Sequence, residues 1–250
     1  DDTSPVTLQF RAKKARGSVL HILVDSKKLN SNGKHMRSRS SGTGFIIKSN
    51  NKGSAILTAA HVVNVKCTKG DPQSKIYVRQ MMPRGRVKQF EATIIHADYT
   101  ADVAILEAKA LKRAQALNFL SSDLVLNQSA IAVAHCNPHN LFKTAALTRL
   151  SVMSGQVMRE KPFLYKNAGI STKAIAVDCP AMQGMSGGPV LGMTGVMGMI
   201  SCGNSDRTIV VCNETIASVL DAYVHPETEF EPPLEELVLM MTLGRDDPSN

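Results

Sequence analysis

Three short segments carry residue types that can share one reaction. Gly184-Met185-Ser186-Gly187-Gly188-Pro189 sets a serine among glycines, with the apolar Val190 behind it. A serine hydroxyl is a poor nucleophile until a base takes its proton. The glycines permit strained backbone and close approach of a substrate. They also leave peptide N–H groups available to converge on a developing oxyanion. His61 follows the apolar run Ile56-Leu57-Thr58-Ala59-Ala60, whose small residues allow a tight turn, and it is the candidate base. Asp102 stands at the start of Val103-Ala104-Ile105-Leu106. A carboxylate buried there is costly without a partner, and it is the candidate group to orient the imidazole. Taken singly, each segment has a plainer reading: a glycine-rich hairpin turn, a core histidine, and a turn cap supplied by Asp102 or by Asp98 just upstream. Taken together, in the order His, Asp, Ser, they make a constellation that activates a serine.

The elements that must position these residues are short strands. Gly17 to Val24, Gly44 to Ile47 and Ala55 to Thr58 read as strands, the last two joined by the hairpin turn Ser49-Asn50-Asn51-Lys52-Gly53. Lys75 to Arg79, Gln89 to His96, Val103 to Glu107 and Ser129 to Ala134 continue the pattern. In the second half, Ala145 to Ser154, Ala174 to Asp178, Gly188 to Gly192, Gly195 to Ser201 and Thr208 to Cys212 repeat it. Many short strands between turn residues predict an all-β barrel or sandwich. Leu111 to Phe119 has helical content. Asn213 to Tyr223 predicts an amphipathic helix capped by Asn213, with Ile216, Val219, Leu220 and Tyr223 on one face. Residues 1–16 read as a basic arm and residues 25–42 as a long exposed loop.

The bulk properties bound the possibilities. A chain of 250 residues with 43% hydrophobic content suits one large β-type domain or two small ones sharing a core. No stretch approaches the roughly 20 apolar residues of a membrane-spanning helix. The chain opens on Asp1 without a secretory signal pattern, which reads as a mature product or an excised fragment. Five widely spaced cysteines (Cys67, Cys136, Cys179, Cys202, Cys212) form no disulfide framework or zinc pattern. They read as reduced, buried thiols and lean toward a reducing intracellular or organellar compartment. The net charge of +8 hides an asymmetry: from Asp221 onward there are eight acidic residues and one basic. Basic residues gather at Arg11, Lys13, Lys14 and Arg16, and along Lys27, Lys28, Lys34, Arg37 and Arg39. Aromatics make up 4% of the chain, Trp is absent, and no aromatic residues interleave with the basic ones to make a stacking platform. A nucleic-acid partner is therefore not expected, and the acidic tail itself is a candidate to cover the basic face.

The segments Thr58-Ala59-Ala60-His61, Asp102-Val103-Ala104-Ile105-Leu106 and Gly184-Met185-Ser186-Gly187-Gly188-Pro189 resemble the three signature motifs of chymotrypsin-fold serine proteases. Gly42-Thr43-Gly44-Phe45-Ile46-Ile47, a turn, and Leu57 to Val63 are similar to the opening of the HtrA/Deg branch. The resemblance covers roughly residues 17–222. It implies two six-stranded antiparallel β-barrels, with a boundary near 110–128, the site in the cleft between them, and a short C-terminal helix. A basic arm (1–16) precedes that domain and an acidic tail (223–250) follows it. The implied activity is serine endopeptidase, acting on protein or peptide substrates through an acyl-enzyme, with no cofactor and no metal. Ser186 is implied as nucleophile, His61 as base and Asp102 as orienting acid, with an oxyanion hole over Gly184, Met185 and Ser186. Met199, Ile200 and Ser201 are implied as walls of the pocket for the residue before the cleaved bond, favouring a small or apolar side chain. Met185 departs from secreted trypsin-type enzymes, which carry an aspartate there to pair with a new N-terminus, so activation of that kind is not expected. The roughly 28 residues after the barrels are too few for the PDZ domain usual in the HtrA/Deg branch. Two alternatives stand beside this reading: a non-catalytic binding protein that keeps the fold, and a viral-type polyprotein-processing serine protease.

Overall fold

A computed structural model describes residues 5–29, 35–64, 74–82, 86–120, 124–136, 149–159, 161–225 and 232–244. Six antiparallel strands close a first barrel: β1 (Val19–Leu29), β2 (His35–Ser49), β3 (Ser54–Thr58), β4 (Lys75–Met81), β5 (Val87–Asp98) and β6 (Val103–Ala108). Their order around the barrel is β1-β2-β3-β6-β5-β4. Register shifts at Ile46/Lys48 in β2 and Ile94/His96 in β5 mark bulges, which bend strands enough for a small barrel to close. Every residue of β3 and β6 is buried, as expected of continuous apolar strands covered on both faces. The β2–β3 turn forms where the Asn-Lys-Gly run places it. Asn50 Oδ1 accepts the Lys52 and Gly53 N–H groups at 2.7 and 3.2 Å.

The second half is a seven-stranded antiparallel sheet, where the sequence reading expects six. It comprises β7 (Ser129–Cys136), β8 (Arg149–Gln156), β9 (Phe163–Asn167), β10 (Ile170–Val177), β11 (Pro189–Leu191), β12 (Val196–Gly203) and β13 (Thr208–Cys212), in the order β8-β7-β11-β12-β13-β10-β9. The extra member is β9, which folds back on β10 across the Ala168-Gly169 turn. The sheet curls round until Val157 bridges Val177, with Met158 N–H donating to Ala176 O at 2.9 Å.

Among the described residues there are four helices: α1 (Pro5–Ala15), α2 (Ala60–Val63), α3 (Asn213–Val224) and α4 (Leu234–Met240). Several of these elements correct the sequence reading. The supposed basic arm is helix α1, packed on β7 through Leu8, Ala12 and Ala15. That 8, 12, 15 spacing is one helical face, hidden in the sequence because two of its three members are alanines among cations. The supposed loop 25–42 is largely the extension of the β1–β2 hairpin, paired out to Leu29 and His35. Residues 111–119 are not helical. Their N–H groups go to barrel one: Arg113 to Asn50 O (2.9 Å), Ala114 to Ser49 Oγ (2.9 Å) and Leu117 to Ile46 O (2.8 Å). Phe119 then bridges Val196 in the second sheet. Asn213 does not cap α3; its Nδ2 donates to Val196 O at 2.9 Å, while Ile216, Val219 and Leu220 are buried as expected. Helix α4 returns part of the acidic tail to barrel one, where Lys48 Nζ donates to Leu239 O and, at 2.7 Å, to Met241 O. Lys34, Cys67 and residues 145–148 lie outside the described residues. No described helix is long and apolar enough to cross a membrane.

The seam between the halves holds a pair of buried histidines. His21 on β1 and His135 on β7 lie 5.7 Å apart, centroid to centroid. His21 Nε2 is buried with no hydrogen-bond partner among the described residues. Burial, then the neighbouring His135 and Arg79, push the His21 pKa down to about 3. A histidine depressed in the fold takes its proton first in the unfolded chain, so its contribution is intact above the ordinary value of 6.5 and is lost as pH falls toward 3. At pH 4 the loss is about 3 kcal/mol. The melting temperature of wild type is therefore expected to drop between pH 7 and pH 4, and that of His21→Phe to drop less. Equal drops in calorimetry contradict this account.

Candidate active site

The site begins with a buried carboxylate. Asp102 follows a turn in which Asp98 Oδ1 accepts the N–H groups of Thr100 and Ala101 at 2.8 and 2.9 Å. Asp98 is thus the turn cap, which leaves the Asp102 side chain for other work. Asp102 has a left-handed backbone, φ 59°, and is fully buried. Aspartate tolerates this conformation better than most residues. Three donors meet its carboxylate: His61 Nδ1 at 2.9 and 3.0 Å from the two oxygens, the His61 peptide N–H at 3.0 Å, and Ser201 Oγ at 2.5 Å. Charge-assisted bonds of this kind offset the cost of burial. They also fix the ring by two points of one residue. The ring sits on α2, the single turn that follows β3, and remains 42% exposed at the rim of the cleft.

The serine loop arrives from the other half. Met185 is fully buried; its N–H donates to Met182 O at 3.1 Å, and its Sδ accepts the Met182 N–H at 3.2 Å. Gly187 N–H donates to Ile200 O (2.7 Å) and Gly188 N–H to Met185 O (2.9 Å). Among the described residues, the N–H groups of Gly184 and Ser186 have no acceptor. The loop therefore satisfies alternate peptides internally and leaves the other two N–H groups unengaged. The peptide N–H of Met185, grouped with them in the sequence reading, turns inward. Ser186 itself is half-buried, and no hydrogen bond joins its hydroxyl to His61 among the described residues. Such a bond is often long until substrate closes over it. The two are neighbours through backbone: a Cβ on Gly187 would lie 2.0 Å from Thr43 O and 2.9 Å from Ala59 N, two residues before His61.

The residue that joins the halves is Thr43, which the sequence reading quotes without a role. It is fully buried. Its N–H donates to Ser186 O at 2.8 Å, its hydroxyl donates to Gly184 O at 2.8 Å, and the hydroxyl accepts His135 N–H at 2.9 Å. Its carbonyl accepts Thr58 Oγ1 at 2.6 Å. The sequence signal for it is a threonine pinned between Gly42 and Gly44 ahead of an apolar strand. Ser201 was read as a pocket wall, yet its hydroxyl is spent on Asp102. Met199 and Ile200 are core side chains, fully buried, because β12 packs on both faces. The open cleft beside His61, about 330 Å³, is lined instead by Asn64, Tyr99, Asn167, Ala168, Ile170 and Cys202. No group of three or more metal-ligating side chains occurs among the described residues.

A closed six-stranded antiparallel barrel beside a second antiparallel sheet, with the His61–Asp102 pair at their seam, is a chymotrypsin-like fold. Residues 42–197 match the model of the trypsin-like peptidase domain, and the chain belongs to that family. It is 31% identical over 157 residues to a mitochondrial Do-like protease (Do-like 3) of Arabidopsis thaliana, a match covering 62% of this chain and 24% of that relative. The chain thus spans about a quarter of the relative's length. The Rv3671c protease of M. tuberculosis superposes in its active form with a TM-score of 0.63 at 18% identity, over 92% of this chain and 89% of that one. A structure of the inactive form of Rv3671c also gives 0.63 at 18%, over 88% and 96%. At that identity the likeness establishes the fold.

The packing around Gly187 yields a test. With φ +87° and backbone 2.0 Å from any added Cβ, Gly187→Ala is expected to destabilise the protein by about 2–5 kcal/mol. Gly169→Ala, at φ +90° but with nothing within 4 Å, costs the backbone strain alone, about 1–2 kcal/mol. Urea unfolding midpoints of the two variants should separate clearly, and coincident midpoints contradict the packing account.

Proposed function

We propose that the chain is a serine endopeptidase working through Ser186, His61 and Asp102. The observation that carries this reading is the pair of unengaged N–H groups at Gly184 and Ser186, in a loop held against Thr43 and the end of β3, just ahead of the carboxylate-bound His61. Ser186 Oγ attacks the scissile carbonyl carbon as His61 Nε2 takes its proton. The carbonyl oxygen becomes an oxyanion held by the two N–H groups, each worth about 3 kcal/mol in the transition state. The C–N bond then breaks, His61 returns the proton to the leaving amine, and an acyl-enzyme remains. Water, deprotonated by the same histidine, releases the acid and restores Ser186. Asp102 holds the ring in one tautomer and stabilises its cation; Ser201 and the His61 peptide N–H hold Asp102. The buried Met185, bonded to Met182 from both its N–H and its sulfur, supports a loop that needs no newly cut N-terminus to order it.

Specificity for a small residue before the cleaved bond follows from the walls beside the serine loop. Ala181 N–H donates to Asn204 O at 2.8 Å, and a Cβ on Gly203 would lie 2.6 Å from that of Ala181. Thr208 Oγ1 donates to Cys179 O at 2.8 Å. Walls drawn together in this way leave a shallow slot, and each methylene misfit is worth about 1–3 kcal/mol.

A fluorophosphonate probe is expected to label wild type and to leave Ser186→Ala unlabelled. A folded wild-type protein that resists the probe overturns the activity. Asp102→Asn should retain the fold and lose about 10³- to 10⁴-fold in kcat. On peptide libraries, cleavage after Ala or Val should exceed cleavage after Lys or Arg at least tenfold in kcat/KM, and a basic preference defeats the slot argument.

A further inference from the structure

We infer that the Thr43 hydroxyl is a positioning group of the oxyanion hole, fixing from the opposite barrel the peptide plane that precedes the Ser186 N–H and so the direction of that donor. This rests on the peptidase reading above. A peptide's C=O and N–H point opposite ways in one plane, so whatever holds one end aims the other. Gly184 O and Met185 N–H share a plane, and Thr43 Oγ1–H holds its carbonyl end at 2.8 Å. Ser186 O and Gly187 N–H share another, held at its carbonyl end by Thr43 N–H at 2.8 Å. The plane between them carries the Ser186 N–H, and Gly188 N–H ties its carbonyl inward at 2.9 Å. Three consecutive planes are pinned, two of them by Thr43.

The backbone bond of Thr43 persists with any side chain; the hydroxyl bond does not. Gly184 is a glycine at φ 92°, with no Cβ to resist rotation of the plane that follows it. Its carbonyl therefore depends on Thr43 Oγ1 for its inward direction. If that plane turns over, the Met185 N–H leaves Met182 O and the Ser186 N–H, one peptide further on, loses its fixed direction. The hydroxyl cannot drift to another acceptor cheaply. It has one proton, given to Gly184 O, and its lone pair already receives His135 N–H at 2.9 Å; His135 O, the other acceptor in reach, is farther at 3.3 Å. Both neighbours are buried, so removing the hydroxyl strands a donor and an acceptor at once.

The experiment compares Thr43→Val, close to threonine in shape, with Thr43→Ser and Thr43→Cys. Expected for Thr43→Val is a fall in kcat of about 100-fold, the scale of a lost oxyanion donor, with KM within about threefold. Its affinity for a peptide aldehyde, which forms the tetrahedral oxyanion, falls in step with kcat/KM. Thr43→Ser, which keeps the donor, stays within about threefold of wild type. A merely structural role for Thr43 moves melting temperature without this split between kcat and KM. Thr43→Val with near-wild-type kcat overturns the inference, as does Thr43→Ser as impaired as Thr43→Val. If the valine variant does not fold, the cysteine variant decides: a weak donor must fall well below serine in kcat, and equality overturns the inference. A crystal structure of a Thr43 variant lacking the donor stands apart from turnover. A Gly184 carbonyl still facing inward there overturns the inference even if wild type proves inert to the probe, whereas a turned carbonyl supports it.

Discussion

Everything at this site is arranged around a carboxylate that has been taken out of water. Asp102 lies at the seam of two β-units, and each of its donors comes with a structural obligation. His61 supplies two of them, so the helix turn after β3 must start where it does. Ser201 supplies the third, so β12 of the second sheet must run directly beneath. Remove one unit and the charge is left buried with partners missing, a situation far costlier than an exposed ion losing a neighbour. The demands of one charge thus tie the geometry of barrel one to that of the second sheet.

The serine loop is coupled to this arrangement through backbone. Gly187 fits because it has no side chain, wedged against Thr43 and Thr58 at the end of β3. Thr43 in turn spans three partners from the second half: Ser186, Gly184 and His135. Ser186, the unengaged N–H groups of its loop and Asp102 are therefore all referenced to two short stretches of barrel one, residues 42–44 and 58–61. His21 sits in the same seam with its pKa pushed down by burial, so acid strong enough to protonate it loosens the frame that carries the site.

Much of this was legible in the residues. The strands of both halves announce themselves by apolar runs between turns, and His61, Asp102 and Ser186 each sit at a strand end where a side chain can reach a cleft. The misreadings share a physical cause. Helix α1 buries Leu8 with two alanines, a face too small to register as a hydrophobic stripe among lysines. Residues 111–119 have helical composition but spend their N–H groups on barrel one. Ser201 and Thr43 are small polar residues in apolar strands; their worth depends on partners about 100 and 140 residues away, Asp102 and Gly184. Met199 and Ile200 could not be distinguished from pocket walls by type, because a slot and a core are lined by the same side chains.

The crossover between the two units has a consequence of its own. From Arg113 to Leu120 it is hydrogen-bonded first to barrel one and then, through Asn118 and Leu120, to Val196 of the second sheet. It behaves as a lath nailed to both halves and not as a tether, so its covalent continuity contributes little to their alignment. A chain opened within this segment retains every bond that registers one unit on the other. The molecule is in this sense divisible: two fragments could be expressed apart and reassemble by complementation. The chemistry would then report on an interface, appearing when the halves meet and vanishing when they part.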